Sequence, residues 1–357
     1  MPSDFAEAFA GRTTFVTGAD GFFGSHLVDR LVDAGSDVHA LVRASSSGEL
    51  RNVAHHVGQL TLHRANLEDP RSVRLTLRDL KRGANGPVTI FHLGAQAHVR
   101  ESWDRPYETF AVNVMGTLNI LQGILDEDLA VAKLDIAGTS EEYGNVDPAL
   151  LQLYTFHGDR PVFNERAPLN PESPYATSKV AADFLGRNYF RAYGLPVVVT
   201  RMFNTFGPRQ NPRYITGTLI TQMLSRSEAR LGATETHRDF LYVADTVNAH
   251  LAVAAEGRPG EVYCAGYGEQ ISIGDWAELI RSVGQAAGYW GDVAMTVDPA
   301  RLRPGQTDLL HLQVDAGKLT SHTGWHPKVD RENGLRETIA WYAANRERWI
   351  GRVDWLS

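Results

Sequence analysis

The chain has 357 residues, 43% of them hydrophobic and 22% charged, with a formal net charge of −7. That balance fits a globular protein with one large core and a smaller second lobe, and the acidic excess argues against nucleic acid or an anionic membrane as partner. Cys264 is the only cysteine, which excludes an intrachain disulfide and fits a reducing, cytoplasmic setting.

The opening "MPSDFAEAFAGR" lacks a basic stretch leading into a long apolar run, so no signal peptide is expected. No apolar run approaches the roughly 20 residues a bilayer crossing needs. Six stretches then read as strands: "TTFVT" (13–17), "DVHALV" (37–42), "LTLHR" (60–64), "VTIFHL" (88–93), "AKLDIAG" (132–138) and "LPVVVTR" (195–201). Helical patterns such as "GSHLVDRLVDAG" and "NVMGTLNILQGILDE" lie between them. Apolar strands alternating with helices predict a parallel sheet covered on both faces. From about Asn204 the rhythm becomes irregular, and a second lobe is placed there. "RDFLYV" (238–243) and "EVYCAG" (261–266) still read as strands that return to the sheet. The expected division is therefore 1–203, with 237–267 returning to it, against a lobe built from 204–236 and 268–357.

Gly18, Gly21 and Gly24 in "TFVTGADGFFGSHLVDRL" follow the first strand and open a helix. Glycine there permits a tight turn, close backbone approach to a diphosphate and helix-to-strand packing, while helix-terminal amides face the anion. A plain glycine-rich turn is the bland alternative. Its place on the first strand of an α/β pattern favours a dinucleotide site, and with it a Rossmann-type doubly wound sheet. The second strand ends in "ALVRASSSGEL", where an NAD enzyme usually places an acid for the ribose hydroxyls. Arg43, with Ser45 and Ser46, would instead accept a 2′-phosphate and favour NADP over NAD; otherwise Arg43 is a surface arginine beside a serine loop. Asn66 in "HRANLED" either touches the adenine or caps a strand end.

In "SPYATSK" (173–179), Tyr175 and Lys179 sit four apart at a helix start set by Pro174, and Gly194 can end that helix. A phenol has a pKa near 10 and needs a nearby cation to act as a base at neutral pH. A Tyr–Lys pair alone is weak evidence. Here it follows the glycine turn, "HLGAQAHV" after the fourth strand and "GTSEEYG" after the fifth. With "NTFGPRQ" (204–210), "RDFLYVAD" (238–245) and "RPGQTD" (303–308), this ordered set resembles the extended short-chain dehydrogenases/reductases acting on nucleotide sugars. The resemblance runs from Phe15 to about Trp341.

The resemblance implies roles. Tyr175 would take the proton of a sugar hydroxyl while C4 gives hydride to a tightly bound NAD(P). Lys179 would hold the nicotinamide ribose and depress the tyrosine pKa, and Thr139 would hydrogen-bond O4. Besides the three glycines, Asp20, Phe22, Phe23, Leu67, Leu93 and Ala95 would line the cofactor. Asn113 would support the active-site end of its helix. Asn204, Arg209, Arg238 and Arg303 would surround the substrate diphosphate and nucleoside, an arginine task because the guanidinium fork binds phosphate oxygens in pairs. Surface or ion-paired roles are the alternative for each arginine.

The reaction turns on Thr139, Ser140 and Glu141. Simple C4 epimerases of this family usually carry small, non-acidic residues after the threonine, whereas members that eliminate water across C5 and C6 carry a carboxylate. A C4 ketone acidifies the C5 hydrogen; Glu141 would take it and supply a proton to departing water, with Ser140 orienting the C6 hydroxyl. This serine version resembles GDP-mannose 4,6-dehydratases and dehydratases of N-acetylglucosamine nucleotides. Their product is a 4-keto-6-deoxy sugar nucleotide, and the cofactor ends as it began. Epimerisation, glucuronate decarboxylation and a non-catalytic dinucleotide sensor or scaffold are the alternatives.

Two positions depart from the pattern: Glu142 stands where an apolar residue is usual, and Gly138 where serine or another small residue is usual. In an extended segment Glu141 and Glu142 would face opposite sides, leaving Glu142 solvated or paired. The stretch "NVDPALLQLYTFHGDRPVFNE" is longer than expected and is either a surface insertion or a lid. No metal site is expected, because adjacent His55 and His56 lack an acidic partner at ligand spacing. A homodimer, with a tetramer as the higher-order option, is expected. The nucleobase and sugar configuration are not legible.

Overall fold

Each of the six predicted strands forms, although "LTLHR" contributes only Thr61–Arg64 and is the least buried. A computed structural model describes residues 5–45, 47–299, 308–350 and 353. Strands β1 (Thr13–Thr17), β2 (Asp37–Val42), β3 (Thr61–Arg64), β4 (Val88–His92) and β5 (Val131–Thr139) join Val197–Met202 and Val262–Ala265 in one seven-stranded sheet. From one edge the order is Val262–Ala265, Val197–Met202, β5, β4, β1, β2, β3, with every neighbouring pair parallel. Chain order reverses at β1, which lies between β2 and β4, so a crevice opens at the carboxyl ends of these strands.

Alternation along β1 shows how both faces are covered. Val16 packs with Leu27, Val28 and Leu31 of helix α1 (Phe22–Asp33) and with the Val243–Glu256 helix. Phe15 faces the other way, toward Val73, Leu77 and Leu80 of α2 (Pro70–Gly83) and toward Ile120, Leu121 and Ile124 of the Gly116–Asp126 helix. The predicted "NVMGTLNILQGILDE" helix is entered through a π-turn, Ala111–Met115, that holds buried Asn113. None of the helices among the described residues is long and apolar enough to cross a membrane.

The two later strand predictions part company. Val262–Ala265 returns to the sheet beside Val197–Met202. "RDFLYV" does not: Phe240–Tyr242 pairs with Asn204–Phe206, and His237–Arg238 pairs with Ile271–Ser272, both outside the main sheet. Phe206, Phe240 and Trp276 anchor that second apolar cluster, the last two stacked at 4.2 Å between ring centroids.

A hydrogen-bonded chain locks the crevice. Thr17 Oγ1 accepts the amides of Leu93 and Gly94 at 3.0 and 2.9 Å, so its own proton goes to His92 Nδ1 at 3.0 Å. His92 Nε2–H then donates to Thr117 Oγ1 at 3.0 Å, whose proton goes to the Asn113 carbonyl at 2.6 Å. This chain requires neutral His92. Burial, helped by Lys179, pushes its pKa down to about 3. Because the folded value lies below the unfolded one, the stability contributed by neutral His92 is complete above about pH 6.5 and is lost as pH falls toward 3, by up to roughly 1.4 kcal/mol per pH unit. Thermal unfolding should therefore worsen across that window more steeply for the wild type than for His92→Gln; equal slopes would contradict the assignment.

Candidate active site

The glycine turn has the geometry its spacing predicts. Gly18 adopts φ +67°, and the Gly21 amide donates to the Gly18 carbonyl at 2.9 Å. A Cβ on Gly24 would stand 2.3 Å from that carbonyl oxygen, so helix α1 can begin this close to β1 only without a side chain. Gly18, Gly21 and Gly24 border a cleft of about 960 Å³ across the carboxyl ends of the sheet. Phe22, Phe23, Leu67, Leu93 and Ala95 also lie on its wall. Asp20 does too, but its carboxylate is engaged: it accepts the amides of Arg51, Asn52 and Val53, fixing the segment after β2. Arg43 and Ser45 reach the cleft as well; Arg43 is 74% exposed and 3.8 Å from Glu108. Ser46 lies outside the described residues. Asn66 is not on the wall; its Oδ1 is buried with no hydrogen-bond partner among the described residues. A turn too tight for side chains, opening on an apolar wall, fits a dinucleotide.

At the middle of the cleft, β5 ends in a turn rather than an extended segment. Ser140–Glu142 is one 3-10 turn: Thr139 Oγ1 accepts the Glu141 amide at 3.3 Å, and Glu142 Oε1 accepts the Thr139 amide at 2.8 Å. Thr139, Ser140 and Glu141 line the cleft, whereas Glu142 points beneath it, fully buried and 3.1 Å from Arg201 Nε. The opposite-faces expectation for an extended chain is thus corrected. The two acids still diverge, because successive residues of a 3-10 turn are about a third of a turn apart. Of its expected fates, Glu142 is paired and not solvated.

The Pro174–Tyr193 helix is capped by Ser173 Oγ, which accepts the Ala176 amide, and ends at left-handed Gly194. Tyr175 in its first turn lines the cleft beside Thr139. Lys179 lies one turn on, 7% exposed and behind the wall. Burial pushes the Tyr175 phenol well above its ordinary value and pulls the Lys179 ammonium down, opposed at Lys179 by Glu142 and Asp183. The expected depression of the phenol is therefore outweighed by desolvation. Asn113 Nδ2 donates to Ser178 Oγ at 2.9 Å, and Ser178 Oγ–H to the Tyr175 carbonyl at 2.7 Å, so the π-turn braces this first turn.

The predicted substrate residues divide. Asn204 lines the cleft with a buried Oδ1 that lacks a hydrogen-bond partner among the described residues. Arg209 turns away to Asp29, at 2.7 Å. Arg238 is buried off the wall, its Nη1 donating to the Leu309 carbonyl at 2.7 Å. Arg303 lies outside the described residues. Sequence reasoning missed Arg213, Tyr214 and His98, which border the cleft near Tyr175; Tyr214 Oη–H donates to the Ala97 carbonyl at 3.0 Å. "NPRY" carries no periodic signal that would mark them. The 145–163 stretch forms a 3-10 segment and a hairpin packed beside Tyr143 and Leu312, and none of it lines the cleft.

The metal expectation also needs correction in its premise. Folding brings an acidic partner that sequence spacing lacks: His55 Nε2 and His56 Nε2 stand 3.1 and 2.9 Å from Asp29 Oδ1, a grouping close enough to hold a metal ion. Arg209 occupies the other oxygen of that carboxylate.

A family model described as "GDP-mannose 4,6 dehydratase" matches residues 15–338. A dTDP-glucose 4,6-dehydratase of Streptomyces antibioticus is 32% identical over 342 residues, covering 94% of this chain and 93% of that protein. Among solved structures, a dTDP-glucose 4,6-dehydratase of Streptomyces venezuelae with NAD bound superposes with TM-score 0.80 at 28% identity, covering 95% of this chain and 99% of that one. A Thermus thermophilus UDP-glucose 4-epimerase in complex with NAD gives 0.78 at 31% identity, covering 93% and 99%. With its glycine turn, its Tyr–Lys helix and a family match that spans the sheet and most of the second lobe, the chain belongs to the GDP-mannose 4,6-dehydratase family of extended short-chain dehydrogenases/reductases.

Proposed function

We propose that this protein is an NAD(P)-dependent nucleotide-sugar 4,6-dehydratase, acting on a nucleotide-diphosphate hexose. The observation that carries the reading is Glu141 on the cleft wall, in the turn that starts at Thr139 and beside Tyr175. An epimerase working at C4 alone has no use for that carboxylate. Residues up to 203, with the returning Val262–Ala265 strand, would hold the dinucleotide. The lobe from 204–236 and 268 onward would close over the nucleoside, with the unsatisfied Asn204 Oδ1 as one polar contact.

The nicotinamide, when bound, would supply a hydride acceptor for C4 and a hydride donor for C6, so no net oxidant would be consumed. Tyr175 takes the C4 hydroxyl proton while Thr139 holds that oxygen, giving the C4 ketone. Glu141 takes the C5 proton, now acidified by the ketone, and passes it to the C6 hydroxyl, which leaves as water; once C6 has been reduced, C5 takes a proton from solvent by way of Glu141, and Tyr175 gives its proton back to solvent. Ser140 orients that hydroxyl. Lys179, charged and buried beneath, favours the phenolate over the phenol.

Mass spectrometry after incubation with UDP-, GDP-, CDP- and dTDP-hexoses separates the outcomes. Loss of one water supports dehydration; unchanged mass would mean epimerisation, and loss of carbon dioxide decarboxylation. Tyr175→Phe should lower turnover by about 10²–10⁴-fold at the oxidation step. Glu141→Gln should still oxidise C4, seen as accumulated reduced-cofactor absorbance, but release no dehydrated product. Normal dehydration by the glutamine variant would remove Glu141 from the mechanism.

Cofactor choice follows from β2. Arg43 and Ser45 border the cleft where an acid would select NAD, and NADP is the preferred form in this reading. Arg43→Ala should weaken NADP roughly tenfold more than NAD in a binding titration; equal losses would defeat the 2′-phosphate role.

The helices 106–126 and 174–193 carry exposed apolar side chains, among them Tyr107 at 92%, Met115 at 48% and Phe184 at 43%. We propose that they pair with a second copy in a homodimer. Sedimentation should give a dimer mass that falls to the monomer in the double variant Met115→Glu/Phe184→Glu; a monomeric wild type would contradict this.

A further inference from the structure

Two residues at the end of β5, Gly138 and Glu142, lie against each other. A Cβ built on Gly138 would lie 2.9 Å from Glu142 Oε1 and 2.8 Å from Arg201 Cγ. Gly138 needs no unusual backbone conformation, because it is an ordinary β5 residue in register with Arg201. Its lack of a side chain is therefore explained by space alone: the Glu142 carboxylate and the Arg201 stem fill the volume a serine would use.

Glu142 fills that volume to a purpose. Its Oε1 takes the Thr139 amide at 2.8 Å, so it holds the start of the turn that carries Ser140 and Glu141. Its Oε2 is 3.1 Å from Arg201 Nε. Arg201 in turn donates to Asp183 Oδ2 through Nε and Nη2, at 3.0 and 2.8 Å, and through Nη1 to Tyr143 Oη at 3.0 Å. Glu142, Arg201, Asp183 and Tyr143 are each no more than 2% exposed. Every element around the carboxylate contributes to this cluster: β5 and its turn through Glu142 and Tyr143, the Val197–Met202 strand through Arg201, the Pro174–Tyr193 helix through Tyr175, Lys179, Asp183 and Arg187, and Val262–Ala265 through Cys264.

We propose that Glu142 is a positioning residue of the dehydration site, bracing the Thr139–Glu141 turn from below through the Thr139 amide, and that Gly138 is glycine to admit the Glu142 carboxylate and the Arg201 stem together. The positioning role rests on the reaction proposed above; the packing does not.

The direction of the electrostatic effect is fixed. The negative charge of Glu142 raises both the Tyr175 phenol and the Lys179 ammonium. It therefore opposes the phenolate while keeping the lysine charged. Burial pushes Glu142 itself up to about 7, with Arg201 pulling it down and Asp183 adding to the rise. Removing the charge while keeping the acceptor, as in Glu142→Gln, should lower both groups. The limb of the pH–rate profile that needs deprotonated Tyr175 and the limb that needs protonated Lys179 should then move together toward acid.

Two measurements test this. In thermal unfolding, Gly138→Ala should lower the midpoint of the wild type by roughly 2–6 °C through overpacking. The same change made in Glu142→Val should cost less, because the valine removes the carboxylate contact while that with the Arg201 stem remains. Equal costs in both backgrounds would overturn the packing claim. In turnover against pH, Glu142→Gln should shift the whole profile acidward by on the order of half a pH unit, and this arm stands even if Glu142→Val does not fold. An unmoved profile, with kcat alone reduced, would overturn the electrostatic claim. A wild type that turns over no nucleotide hexose would sink the reaction instead, and the unfolding cycle alone would then decide whether Glu142 and Gly138 are coupled.

Discussion

The end of β5 must stop being a strand at one residue, and a hydrogen bond makes it do so. The Thr139 amide, which would otherwise continue the sheet pattern, is taken by the carboxylate of Glu142 three residues on. The chain turns there, and three consecutive side chains, Thr139, Ser140 and Glu141, come to the cleft wall. Without that bend, alternation along a strand would send Ser140 to the face opposite Thr139 and Glu141. The proposed chemistry needs all three on one side. Everything else in the site is arranged around this turn: Tyr175 stands beside its first residue, and Arg201 pairs with its last from beneath.

The surrounding fold supplies stiffness at that point. The reversal of strand order at β1 opens the cleft, while Thr17, His92 and Thr117 bind the ends of β1 and β4 to the neighbouring helix through one continuous set of hydrogen bonds. Asn113 carries the same support to the first turn of the tyrosine helix through Ser178. Polar groups buried in this way are costly unless satisfied, and here each bond fixes the donor of the next. The result is a rigid floor under a cleft whose outer rim, from His98 to Tyr214, is built by loops.

Most of the floor was legible in the sequence because it rests on local rules. Apolar runs of strand length, glycines at a turn and a Ser–Pro helix start each have a short-range physical cause, and each appears where it was read. What was not legible depends on contacts between distant segments. "RDFLYV" has the composition of a sheet strand, but Asn204–Phe206 captures its second half in the other lobe. Arg209 and Arg238 stand in recognisable motifs, yet Asp29 and a backbone carbonyl hold them away from the cleft wall. His55 and His56 meet Asp29 only through folding. Glu142 was seen as an oddity of composition; only the structure pairs it with Gly138 and Arg201.

The central claim is that one turn serves two neighbouring carbons, with oxidation at C4 assisted by Thr139 and Tyr175 and proton removal at C5 by Glu141. A nucleotide hexose carrying deuterium at C4, incubated with the enzyme in ordinary water, tests both halves at once. The account predicts a product lighter by one water, with the deuterium now in the C6 methyl group and a solvent proton at C5. Recovery of the sugar at unchanged mass with deuterium still on C4, or release of the deuterium to solvent, would contradict it.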